Sequence, residues 1–211
     1  MHSSTKKVFF AEYVFTIFED VYEPAEDSFL FAENLVAHDN DSVIDVGTGC
    51  GILGIVAAAR AHRVLAVDIN SKAVGCAKEN AQFNHVDHKM LFMVGDLFTS
   101  IKARKQFDLI LFNAPYLPSE ELEGDSWLVR AWAGGSSGRR LIDRFIQAAP
   151  RYLRPDGRIL LMQSTLSDVE ETLHGFEETS LRADVIARQD LQFFEAIVLI
   201  KAESTKNEVG V

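Results

Sequence analysis

Short apolar runs alternate along the chain with stretches of helical period. Runs at 42–46, 63–67, 89–94, 107–112, 158–162, 181–188 and 193–201 have the length and composition of strands. Several are apolar without alternation, Leu109-Ile110-Leu111-Phe112 for example, which is the pattern of a parallel strand covered on both faces. Residues 23–37 read as a helix, with Pro24 in the first turn and Phe29, Leu30 and Leu35 as apolar positions. Residues 71–83 place Val74, Ala77 and Ala81 on one face. Residues 139–149 do the same with Leu141, Ile142, Phe145, Ile146 and Ala149, and Pro150 ends the pattern. The order predicts an α/β fold of three layers around a mostly parallel sheet. Only a few residues around 189–192 separate the last two runs. That is too short for a crossover helix, so a C-terminal antiparallel hairpin is expected.

Composition narrows the class. Polar residues at 1–7 and 204–211 suggest flexible tails on a single domain spanning 1–211. A chain of 211 residues buries roughly 70% of its unfolded surface and needs neither disulfides nor a structural metal. Cys50 and Cys76 are the only cysteines, which excludes a disulfide scaffold and a four-thiolate zinc site and suits a reducing, cytoplasmic setting. The net charge of −10 gives no help in holding a nucleic-acid backbone, so stable nucleic-acid binding is not expected. The longest mainly apolar run, 8–18, is broken by Glu12 and too short to cross a bilayer, and residues 1–7 lead to no small-residue cleavage site. No membrane association is expected.

Candidate chemistry lies where strands end. Asp45-Val46-Gly47-Thr48-Gly49-Cys50-Gly51 follows the first core strand and precedes a helical stretch. Glycines there let the backbone approach a ligand closely. Asp68, followed by Ile69, ends the next strand, where a carboxylate can accept both hydrogen bonds of a ribose diol. Asp96, followed by Leu97, ends the third and could accept from an adenine amine. The plain alternative is a tight structural turn, and Gly49 to Gly54 also fits the dinucleotide pattern GxGxxG. A carboxylate at Asp45 would face a pyrophosphate badly at the helix N-terminus. S-Adenosylmethionine (SAM) carries a sulfonium and an amino group and no phosphate, so the acids favour it.

A fourth strand ends in Asn113-Ala114-Pro115-Tyr116. A planar NH2 group is a poor nucleophile because its lone pair is delocalised. Two acceptors, the Asn113 side-chain oxygen and the Ala114 carbonyl, could hold its N–H bonds while the Tyr116 ring stacks on the planar group. The competing reading is a proline turn with Tyr116 as a packing residue. Cys50 reads as a space-filler, Cys76 as buried, and His85 with His88 as too few ligands for a metal site. The acidic stretch 120–125 reads as a solvated loop or a contact for a basic patch on a protein substrate.

Across about 21–201 these elements resemble the class I SAM-dependent methyltransferases, whose Rossmann-like fold implies a seven-stranded sheet with an antiparallel last strand. The 113–116 element resembles the Asn-Pro-Pro-Tyr motif of enzymes that methylate amide or exocyclic amine nitrogens, with Ala114 in place of the usual proline. Tyr22-Glu23-Pro24-Ala25-Glu26-Asp27-Ser28 resembles the YxPxEDT/S stretch of HemK-like protein glutamine methyltransferases, where the hydroxyl residue, here Ser28, reaches the cofactor. Ala131-Trp132-Ala133-Gly134-Gly135 with Gly138-Arg139 resembles their AWxGGxxG stretch. The resemblance implies cofactor contacts from Tyr22, Ser28, Asp45, Gly47, Gly49, Gly51, Asp68, Ile69, Asp96, Leu97 and Asn113, and catalytic roles for Asn113, Ala114, Pro115 and Tyr116. The chain's length is similar to that of the compact archaeal and eukaryotic branch. That branch implies as substrate the GGQ glutamine of a class I release factor, and as partner a small zinc-binding activator that extends the sheet. The alternatives are methylation of an exocyclic amine in nucleic acid and a partner-dependent subunit that binds SAM only structurally.

Overall fold

The computed structural model describes residues 6–119, 126–193 and 195–204. The acidic stretch 120–125 and most of both tails lie outside the described residues. A two-stranded antiparallel hairpin comes first, β1 (Lys6–Phe10) and β2 (Tyr13–Ile17), followed by α1 (Glu26–Asn34). Then come β3 (Ser42–Val46), α2 (Ile52–Ala58), β4 (Arg63–Asp68), α3 (Ser71–Phe83), β5 (Met90–Val94) and β6 (Phe107–Asn113). The chain continues through the short α4 (Trp127–Arg130), α5 (Arg140–Ala148), β7 (Leu153–Ser164), α6 (Val169–Glu178), β8 (Leu181–Asp190) and β9 (Ala196–Ser204).

The sheet has seven strands in the order β5-β4-β3-β6-β7-β9-β8. It is parallel except for β9, which runs antiparallel to both β7 and β8. The expected terminal hairpin is therefore present, with the last strand inserted inside the edge. β3 and β6 are the pair at which the strand order reverses, so their carboxyl ends open the crevice where α/β folds bind ligands. Successive residues of β6 serve opposite layers. Leu109 and Leu111 join the core beneath α1–α3, whereas Ile110 and Phe112 join the one that includes α5 residues. Burial on both faces is why these strands read as unbroken apolar runs.

Three departures from the sequence pattern matter. The first helix shrinks from 23–37 to Glu26–Asn34, leaving Tyr22 and Pro24 in an extended approach to it. On α3 the buried face is Ala73, Cys76, Ala77, Asn80 and Ala81, while Val74 is only half-buried. The β1–β2 hairpin was not foreseen. Its turn, Ala11-Glu12, lacks the Asn-Gly or Asp-Gly signal and holds Ala11 at φ +49°. The hairpin is secured from α3 instead. Asn84 and Asn80 each accept from and donate to one hairpin residue, Val14 and Thr16 respectively, at 2.8–3.0 Å. Two side-chain amides thus replace the strand that β2 lacks on that side.

Candidate active site

A cavity of about 870 Å³ opens at the carboxyl ends of β3, β4 and β6, within the range of small-molecule clefts (about 300–1,000 Å³). Of the residues expected there, Tyr22, Ser28, Gly47, Gly49, Asp68, Ile69, Asp96, Leu97, Asn113, Ala114, Pro115 and Tyr116 line it. Asp45 and Gly51 do not. Gly51 caps α2 at φ +91°, and a Cβ there would stand 3.0 Å from the Ala77 Cβ, so only glycine lets α2 and α3 approach.

Asp45 lies beneath the loop with 1% of its surface exposed. Its Oδ2 accepts from the Thr48 hydroxyl at 2.6 Å and the Gly54 N–H at 2.9 Å. Burial pushes its carboxyl up to about 7, those two hydrogen bonds oppose the rise, and nearby Asp68 adds to it. Asp45, expected among the ligand contacts, does not line the cavity and organises the loop from below.

Asp68 lines the cavity. Its Oδ2 accepts from the Gly49 N–H at 2.9 Å and its Oδ1 from the Asn70 N–H at 2.8 Å. Burial raises its pKa, and backbone N–H groups of Asn70, Gly49 and Ile69 counter this by favouring the anion. Each oxygen has a lone pair left for one hydroxyl of a vicinal diol. Asp96 carries a partner that the sequence did not reveal: Arg144 on α5, also on the cavity wall, donates to its Oδ2 at 2.7 Å. An adenine amine would share Asp96 with that guanidinium.

The strand-end motif is held from two directions. The Ala114 N–H donates to the Met162 carbonyl on β7 at 3.3 Å, a bond that proline could not make. The AWAGG stretch clamps the residues just beyond the motif. Leu117 donates to Trp132 and accepts from Gly134, and the Ser167 hydroxyl donates to the Tyr116 carbonyl at 2.7 Å. Gly138 sits at φ +74° against that carbonyl, where a Cβ would collide with it.

On the other side stands a residue that sequence reasoning passed over. Asp27, 6% exposed, accepts from Tyr22, Ser28, Asn113 and Tyr116. Burial, reinforced by Asp27, pushes both tyrosine hydroxyls far above their ordinary range, so both stay protonated donors. Ser28 was expected to reach the ligand. It does line the cavity, while its hydroxyl donates to Asp27 at 3.1 Å and accepts from Asn113 Nδ2 at 3.3 Å. Asn113 Oδ1 is buried and has no hydrogen-bond partner among the described residues. A buried unpaired acceptor costs about 1–3 kcal/mol unless a ligand satisfies it. The site therefore combines a carboxylate with capacity for a diol, a glycine loop and an acceptor awaiting a donor. That set fits an adenosyl ligand beside a planar N–H group.

Comparison of the chain with known proteins finds methyltransferases among its relatives. A family model described as ribosomal protein L11 methyltransferase (PrmA) matches residues 28–115. A protein of Methanocaldococcus jannaschii designated a protein N5-glutamine methyltransferase is 41% identical, over 85% of this chain and 90% of its own. Methyltransferase HEMK2 of Mus musculus is 37% identical, over 73% and 76%. Among solved structures, a chain of the E. cuniculi Mtq2–Trm112 complex superposes with a TM-score of 0.68 at 24% identity, covering 89% of this chain and all of its own. That complex is described as responsible for methylation of the translation termination factor eRF1.

Proposed function

We propose, for a chain that belongs to the HemK-like protein N5-glutamine methyltransferases, that its acceptor is the side-chain amide of the GGQ glutamine in a class I translation release factor. The observation that carries this reading is the orphaned Asn113 Oδ1, an acceptor placed beside a cavity that also holds the diol-binding Asp68. Its complement is an N–H donor of the target. The glutamine amide offers two such bonds, one for Asn113 Oδ1 and one for the Ala114 carbonyl, and its plane stacks on the half-buried Tyr116 ring. Held this way, the nitrogen presents its lone pair to the methyl carbon. Such positioning can supply on the order of 7–11 kcal/mol. No general base is required before attack, because the nitrogen loses its proton only after it has gained positive charge. SAM, when bound, supplies an electrophilic methyl group on its sulfonium. Asp68 would hold its ribose, Tyr22 and Ser28 would border it from the α1 approach, and Asp96 with Leu97 would border its adenine.

The net charge of −10 suits a protein substrate better than a nucleic acid. The E. cuniculi complex supports a small partner subunit. Such a zinc-binding activator would extend the sheet at β5, whose outer edge is unpaired in the sheet order and carries exposed Leu91 and Val94. A cytoplasmic setting accords with a release-factor substrate.

The test is methyl transfer from labelled SAM to a release factor, to a Gln→Ala GGQ variant of it, and to an oligonucleotide, with and without the activator. One methyl on the GGQ glutamine, absent from the variant, is expected. Transfer to the oligonucleotide but not to the factor would overturn the reading.

A further inference from the structure

The two oxygens of Asp27 divide their work. Oδ1 accepts from the Ser28 backbone N–H, the Ser28 hydroxyl at 3.1 Å and the Tyr22 hydroxyl at 3.2 Å. Oδ2 accepts from Asn113 Nδ2 at 3.0 Å and from the Tyr116 hydroxyl at 3.1 Å. An asparagine amide is nearly symmetric in shape, so its hydrogen-bond partners decide which end is oxygen. A carboxylate can only accept. It therefore holds the NH2 end of Asn113 and leaves Oδ1 over for the target. Were the amide reversed, its NH2 would meet the N–H of the target, donor against donor.

We infer that Asp27 is a positioning residue of methyl transfer. By accepting from Asn113 Nδ2 it fixes that amide in the one orientation that presents an acceptor to the nitrogen being methylated. Through Tyr116 it also secures the far end of the same motif. This rests on the amide N-methylation reading above.

Asp27→Asn is nearly isosteric and discriminates sharply. The Ser28 backbone N–H cannot become an acceptor, so the substituted amide keeps its oxygen at the Oδ1 position and puts NH2 at the Oδ2 position. That NH2 faces Asn113 Nδ2, and Asn113 turns over to relieve the clash of donors. Asn113→Asp on its own sets two carboxylates against each other. The exchange Asp27→Asn/Asn113→Asp restores the pairing with its polarity reversed. The amide at 27 donates to one oxygen at 113, and the other oxygen there remains an acceptor for the target.

Turnover on release factor, SAM affinity by calorimetry and thermal melting are measured for the wild type, both single variants and the exchange. Asp27→Asn should lose on the order of 10²-fold in kcat, as for one lost positioning group, with SAM affinity changed less than about threefold. The exchange should recover about tenfold or more over Asp27→Asn at neutral pH, and over Asn113→Asp at alkaline pH, where the proton that variant shares with Asp27 has left, a coupling expected of residues in contact. Wild-type kcat in Asp27→Asn, or an exchange no better than the poorer single variant, would overturn the inference. A second readout needs only the wild type, the hydrogen exchange of the Asn113 side-chain NH2, identified by its disappearance in Asn113→Ala. Slow exchange supports the tie to Asp27, and exchange as fast as a solvent-exposed amide overturns it. A wild-type protein that binds SAM yet methylates no glutamine refutes the functional reading alone, and the exchange measurement still decides the tie.

Discussion

Asn113→Asp tests the geometry of the strand-end motif most severely, because the change in shape is minimal and the change in charge is complete. From sequence alone an acceptor of similar shape would be expected to keep partial activity. The structure makes that activity depend on pH. The replaced atom lies 3.0 Å from Asp27 Oδ2, and two like charges at that separation repel by about 5–6 kcal/mol at an effective dielectric near 20. The two carboxyls must then share one proton to well above the ordinary carboxylate range. With the proton shared, an O–H donates across the pair, the remaining oxygen still faces the target, and the motif is intact. As pH rises the proton leaves, the carboxylates separate, and turnover and stability fall together. Asn113→Ala has no such proton and should lose on the order of 10²–10³-fold in kcat at every pH, with SAM affinity nearly unchanged. The assay is kcat for methyl transfer to release factor from pH 6 to 9, each variant expressed as a fraction of wild type at the same pH. The Asn113→Asp fraction should be largest at pH 6 and decline steadily. A fraction that stays constant across the range would show that no proton is shared, and wild-type kcat for Asn113→Ala would reduce the motif to a strand-end turn.

Asp68→Ala should weaken SAM binding by about 2–4 kcal/mol, or roughly 30- to 1,000-fold, in calorimetry. Unchanged affinity, or equal affinity for NAD, would contradict the diol assignment. Asp45 has a folded pKa of about 7, above its unfolded value of 3.8, so the native state holds a proton that the unfolded chain has already released. Stability from this group should therefore be complete below about pH 4, decline up to about pH 7 and level off above it. Asp45→Asn can offer its single oxygen to both Thr48 and Gly54, so its Tm should exceed wild type at pH 8 and match it near pH 4, with SAM affinity preserved. Equal Tm shifts at both pH values would count against a buried, proton-binding Asp45. Gly138→Ala should lower Tm by several degrees and displace the Tyr116 carbonyl, and kcat should fall more than SAM affinity. A melting curve identical to wild type would show that this backbone contact has slack.

The sequence alone determined the order of the core elements, the antiparallel end of the sheet, and the acids and glycines that line its carboxyl edge. Those are local properties: apolar runs with no alternation, glycines at a strand–helix turn, a carboxylate or an Asn-x-Pro-Tyr where a strand stops. It did not determine which of these residues face the ligand. Asp45 and Asp68 look equivalent along the chain, yet one is buried under the loop with its oxygen satisfied by Thr48 and Gly54, and the other lines the cavity. Arg144 sits 48 residues from the Asp96 it neutralises, and Asn80 and Asn84 support a hairpin more than 60 residues away. Asp27 stands within a recognisable motif beside a hydroxyl residue, and nothing local marks it out. Only folding brings it within 3.0 Å of Asn113, 86 residues on, and sets which end of that amide is an acceptor. Periodicity and turn chemistry are written in neighbouring residues. The polarity of a buried hydrogen bond is decided by groups that meet only when the sheet has closed around them.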